Sequence, residues 1–122
     1  MSDEGSGEAD AHDDAHAASD IEFDWDDAKA LSNLRKHGVE FLEAMTVFAD
    51  PLAITDFDEE HSNNDEDRFV SVGRAQSGRL LLLVHTFSQV QLAGEPPYSL
   101  ARIISAREPT AHERRRYEQG VN

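Results

Sequence analysis

The chain contains no cysteine in its 122 residues, so a disulfide framework and any thiolate metal site are excluded. Its longest unbroken apolar run is Leu80 to Val84, far short of a membrane span. Met1-Ser2-Asp3-Glu4 supplies no basic leader and no apolar segment follows it, so the expectation is a cytoplasmic protein with neither secretion signal nor membrane contact. Lysine is nearly missing, with Lys29 and Lys36 alone. Large apolar residues are missing between Met1 and Ile21, so residues 1–20 lack the surface that would offset the cost of ordering and are expected to form a disordered acidic tail. His12 and His16 in that tail make a poor metal site by themselves. What remains, residues 21–119, is long enough for one domain, and 39% apolar content suffices for a modest single core.

The net charge of −14 argues against a nucleic-acid binder until it is mapped. Residues 1–20 hold seven acids and no Lys or Arg, and residues 56–67 hold another seven with no Lys or Arg. The other segments carry eleven acids against all eleven basic residues. Eight of those cations, Arg68, Arg74, Arg79, Arg102, Arg107, Arg114, Arg115 and Arg116, fall in the second half. That asymmetry is compatible with an anion-binding face; ordinary solvated surface is the competing account.

Ile21-Glu22-Phe23 reads as a short strand. Asp24 or Asp26 then caps a helix to about His37, with Arg35 and Lys36 at its negative end and Gly38 as its stop. Phe41, Ala44, Met45 and Phe48 follow at helical spacing and predict a second helix ended by Asp50-Pro51. Four strands follow: Leu52 to Thr55, Arg68 to Arg74, Arg79 to His85, and Leu100 to Ala106. The third lacks polar alternation, as a central strand covered on both faces does. Thr110-Ala111-His112-Glu113 is a capping box opening a C-terminal helix. The order predicts an α+β fold: a small antiparallel sheet of four to five strands in a meander, with two N-terminal helices and one C-terminal helix.

Several separately placed motifs agree with a known family. Trp25-Asp26-Asp27-Ala28-Lys29, continuing through Asn33 to Lys36-His37-Gly38, is followed by Asp50-Pro51, then Arg68-Phe69-Val70-Ser71-Val72-Gly73. The apolar strand before His85-Thr86, the Arg102-Ile103-Ile104-Ser105-Ala106-Arg107 segment and an Arg-rich final helix complete the series. From Phe23 to Tyr117 the chain resembles the BrnT family, the toxin half of a bacterial type II toxin–antitoxin pair. The resemblance implies a RelE-like fold and a metal-independent endoribonuclease that arrests growth, with no cofactor. It also implies a partner, a BrnA-like ribbon-helix-helix antitoxin that masks the toxin and carries the DNA contact, so that this chain touches DNA only indirectly.

RNA cleavage without a metal needs a group to take the 2′-OH proton, cations to stabilise the transition-state phosphorane, and an acid for the 5′ leaving oxygen. Arg68 and Arg107 are the leading catalytic candidates, since a guanidinium contacts two phosphate oxygens and stays charged. His37, His85, Tyr117 and Glu66 are the candidates for proton transfer. Arg79, Arg102, Lys36 and Arg114 are expected to bind RNA. Arg102 and Arg107 lie five positions apart, which on an ideal strand turns them to opposite faces. Trp25, beside helix-initiating acids, reads as a packing anchor rather than a base-stacking platform. Many BrnT-like chains place an acidic and a basic residue and then a tight turn where this one has Phe87-Ser88-Gln89 and an insert reaching Pro97-Tyr98. The alternative function is a catalytically silent module of the same fold, serving as antitoxin ligand and co-repressor; a third is an adaptor that binds RNA without cutting it.

Overall fold

The computed structural model describes residues 21–63 and 66–120; the expectation for the acidic tail lies outside the described residues. The chain runs β1 (Ile21–Asp24), α1 (Asp27–His37), α2 (Phe41–Ala44), a 3-10 turn (Met45–Ala49), β2 (Ile54–Phe57), β3 (Arg68–Arg74), β4 (Leu80–Val90), β5 (Tyr98–Arg107) and α3 (Ala111–Gln119).

Local chemistry sets the helix ends. Asp26, in an extended conformation, accepts a hydrogen bond from the Lys29 amide at 3.0 Å, and Gly38 at φ 69° closes the C-terminus in the left-handed region that a side chain disfavours. Thr110 and Glu113 form the reciprocal capping box expected of α3. The second predicted helix is shorter than its apolar spacing implies. It makes one α-helical turn and then tightens into the 3-10 turn, because Phe48 must reach the sheet before Asp50 starts the next turn with its side chain accepting from the Leu52 amide.

The five strands stand in the order β1-β5-β4-β3-β2. The meander β2 to β5 is antiparallel as expected, but β1 pairs with β5 in parallel, so the sheet is mixed: α1, α2 and three strands intervene before β1 finds its partner. The insert after Thr86 is no separate loop over most of its length. It lengthens the β4–β5 hairpin, with Phe87 to Val90 pairing against Ala101 to Tyr98.

Leu80, Leu81, Leu82 and Leu83 are all buried, which is the two-sided burial their unbroken apolar run predicts. Leu81 and Leu83 join Ile103 and Ala106 beneath Val39, Phe41, Ala44 and Val47. Leu80 and Leu82 lie on the reverse face with Val72 beneath Tyr117 of α3. Trp25 packs edge-on against Phe41, with ring centroids 5.9 Å apart, as an anchor of the first face.

Candidate nucleic-acid interface

The register of β5 decides where its arginines point. Leu83 pairs with Ala106 and Val84 with Ser105, but His85 pairs with Ile103, so Ile104 is an extra, bulged residue. Arg102 lies opposite Thr86 and Arg107 opposite Leu82. Thr86 and Leu82 are four apart on one strand and share a face. The bulge therefore corrects the expectation for the two arginines: both turn to the same side, the face of the sheet that carries α3.

Arg68 also pairs with Thr86, and Asp24 pairs with Arg102. One row thus crosses four strands as Arg68, Thr86, Arg102 and Asp24. Neighbouring strands lie about 4.8 Å apart, which sets the two arginines roughly 10 Å from each other at the backbone. Arg107 stands on the same face four residues further along β4, opposite Leu82, and Arg116 from α3 reaches Asp56, opposite Val70.

Each of these cations already holds a carboxylate. Arg102 is paired with Asp24, Arg116 with Asp56 at 2.7 Å, and Arg68 loosely with Glu66 at 4.0 Å. Such half-exposed pairs contribute only about 0–1 kcal/mol each and exchange readily for another anion. Arg107 differs. Its guanidinium holds Glu113 through two parallel bonds of 2.9 and 3.1 Å and also donates to the Glu108 carbonyl. The Arg107 side-chain bond, outweighing partial burial, holds the Glu113 carboxyl at about 2, helped by the Thr110 amide; the same bond raises Arg107. Arg107 thus ties β5 to the first turn of α3, and its part in docking that helix is structural whatever else it does.

The proton-transfer candidates are dispersed. His85 is fully buried on the other face of the sheet, boxed by Phe48, Phe69 and Phe87 with centroids 4.9 to 6.0 Å away. Its Nε2 lies 2.8 Å from Ser71 Oγ, which in turn bonds Thr55 Oγ1, and its Nδ1 lies 3.2 Å from the Thr86 carbonyl. Burial pushes its pKa down, so the ring is a neutral core group rather than one that meets substrate. Tyr117 donates its hydroxyl to Asp50 at 2.6 Å under the Arg74 guanidinium, and burial followed by that bond raises its pKa. It is committed to holding α3. Burial would raise Asp50, but bonds from Tyr117, the Arg74 amide and the Leu52 amide together lower it.

His37 and Lys36 line a shallow depression with Lys29, Ser32, Asn33, Ile104 and Ser105, where α1 meets the β5 edge beyond β1. Among the described residues Lys29 and Lys36 make no ion pair. Asn33 covers that edge: it donates to the carbonyls of Val39 and Ala106 and accepts from the Ala106 amide, all at 2.9 to 3.0 Å. Arg79 is elsewhere, bonded to the Gly38 carbonyl and 3.3 Å from Glu43. Arg114 pairs with Glu118 on the outside of α3 at 3.8 Å. Thr86 and Ser105 are members of the face that sequence reasoning did not single out, and Arg116 was named only among the second-half cations; the apolar run of β4 gave no alternation from which to place Thr86, and the bulge in β5 hides the face of Ser105.

No helix among the described residues is long and apolar enough to cross a membrane. A comparison with curated proteins gives no match. The family model for the ribonuclease toxin BrnT of type II toxin–antitoxin systems matches residues 25–113, and the chain belongs to that family.

Proposed function

We propose that this toxin is a metal-independent endoribonuclease whose substrate lies across the Arg68, Thr86 and Arg102 row, cleaves RNA in the cytoplasm to arrest growth, and is neutralised by a BrnA-like ribbon-helix-helix antitoxin that alone contacts DNA. The observation that carries the reading is the bulge at Ile104, which turns Arg102 to the face where Arg68 stands. Two guanidinium groups there can take the non-bridging oxygens of one phosphate as the 2′-oxygen attacks phosphorus and the 5′-oxygen leaves. In this reading Glu66, 4.0 Å from Arg68, accepts the 2′-OH proton, and His37 protonates the leaving oxygen. Lys29 and Lys36 extend the cationic surface around β5, where an RNA strand would continue. His85 and Tyr117 serve the fold in this scheme, and Arg79 and Arg114 lie off the path.

Total RNA incubated with the purified chain in EDTA is expected to be cut, leaving 2′,3′-cyclic phosphate ends. Arg68→Ala and Arg102→Ala should each fold and lose roughly 10²–10³ in rate, the usual effect of deleting one preorganised charge stabiliser. Dependence on Mg²⁺, or wild-type rates in both variants, overturns the assignment. One observation favours the second reading, a silent antitoxin ligand: Arg68, Arg102, Arg107 and Arg116 are each already paired with an acid. Expression toxicity separates the two, since only a ribonuclease arrests growth in a manner that Arg68→Ala abolishes.

A further inference from the structure

On the side of the sheet away from the arginine row, α1 and α2 leave an open cavity of about 320 Å³. Its walls are Trp25, Ala30, Leu31, Leu34, Phe41 and Leu42. Three of these are leucines exposed to solvent by 49% (Leu31), 38% (Leu34) and 61% (Leu42). Single exposed leucines are ordinary, but several lining one cavity mark a surface that is covered by something.

The charge around the groove restricts what covers it. Asp27 and Glu40 line it, no Lys or Arg does, and Asp26 stands exposed beside them. The chain's own first twenty residues carry seven acids and no large apolar residue after Met1; they are repelled and have nothing to insert. A second copy of a chain with net charge −14 would bring the same acids against each other across a two-fold axis. An occupant with apolar residues and positive charge meets both demands.

We propose that the groove receives an amphipathic helix of the protein antitoxin, with leucine-type residues three and four positions apart entering between α1 and α2 and Lys or Arg beside them meeting Asp27 and Glu40. This rests on the family's place in a two-protein system. A helix laid in an apolar groove is a common recognition mode, in which residues at i, i+3, i+4 and i+7 anchor. The antitoxin is thereby held on the reverse of the sheet, and its grip does not depend on the arginines that bind RNA.

Calorimetric titration of the full chain with the purified antitoxin tests this. The double variant Leu31→Ser/Leu42→Ser, changed only at exposed positions, should keep its melting temperature and bind at least tenfold more weakly. Asp27→Lys/Glu40→Lys should also weaken binding, with the loss shrinking as salt rises, whereas Arg102→Ala should bind as wild type. Wild-type affinity in both groove variants overturns the proposal. So does a chain that sediments alone as a dimer which Leu42→Ser dissolves, for the occupant is then a second copy. Weakened titration in a chain without ribonuclease activity supports the groove and overturns only the catalytic reading.

Discussion

At the scale of single residues, two buried or paired groups set a pH dependence that has nothing to do with catalysis. Glu113 is held at about 2 against an ordinary value of 4.5. A carboxyl depressed in the folded state contributes stability above its unfolded value, and that contribution disappears as pH falls from about 4.5 towards 2. The pair is partly open to solvent, so the stabilisation is roughly 1–2 kcal/mol rather than the full equivalent of the shift. Glu113→Gln should therefore unfold at lower urea than wild type at pH 7, and the gap should narrow as the pH is lowered through 4; a constant gap sinks the linkage. His85 works with the same sign. Its folded pKa is lowered by burial, so the unfolded chain takes up a proton below about 6.5 that the folded one refuses, and stability falls as pH drops from there. Replacement by Phe should remove that component of the slope, and an imidazole seen by NMR to protonate with an unperturbed pKa contradicts it.

At the scale of elements, α3 is held by contacts that no local pattern discloses. Tyr117 reaches Asp50 across 67 residues, so its aromatic and phenolic character alone suggested chemistry. Tyr117→Phe should cost about 1 kcal/mol of stability for the lost hydrogen bond and leave RNA cleavage unchanged, measured on the same preparation; a cleavage defect restores Tyr117 to the candidate machinery. Beneath Asp50, a Cβ on Gly73 would stand 2.8 Å from Val47 Cγ1 and 2.9 Å from Ala53 Cβ. Gly73→Ala should thus destabilise by roughly 1–3 kcal/mol, checked by the urea midpoint. What was legible in the sequence follows the range of the interactions. The end of α1 and the start of α3 were readable because Gly38, Thr110 and Glu113 act within four residues of themselves, and the cap of α1 was narrowed to Asp24 or Asp26, of which Asp26 is the one. The burial of Leu80 to Leu83 was readable from the run itself. The parallel pairing of β1 was not, being set by a strand some 78 positions away, nor was the face of Arg102 relative to Arg107, since one bulged residue inverts a period-two argument. His85 was ambiguous for a related reason: the strand preceding it has no polar alternation from which to assign its face.

At the scale of the whole molecule, the acidic segments and the arginine face carry opposite charge, and the acidic loop is fastened to the backbone of Arg68. The Asp58 amide donates to the Arg68 carbonyl at 2.7 Å, Ser62 Oγ donates to the Asp58 carbonyl at 2.7 Å, and the Arg68 amide donates to Ser62 Oγ at 2.8 Å. The loop backbone at Asp58 and the Ser62 side chain are therefore fixed beside Arg68. Glu66 lies 4.0 Å from Arg68, so RNA drawn to that arginine in the proposed reading meets the loop's negative charge, which is screened at 1 M salt, where the Debye length is about 3 Å against about 10 Å at 0.1 M. Cation release governs the ordinary salt slope of RNA binding, and nearby acids lower the local concentration of the polyanion on top of it. Glu59→Gln/Glu60→Gln should raise RNA affinity several-fold at low salt and not at all at 1 M, and any gain from deleting residues 1–20, which carry seven acids and no Lys or Arg, should likewise vanish at 1 M. Fluorescence anisotropy with a labelled single-stranded RNA across a salt series measures both. Equal affinities for the loop variant and wild type at low salt would show that Arg68 is not where the RNA enters.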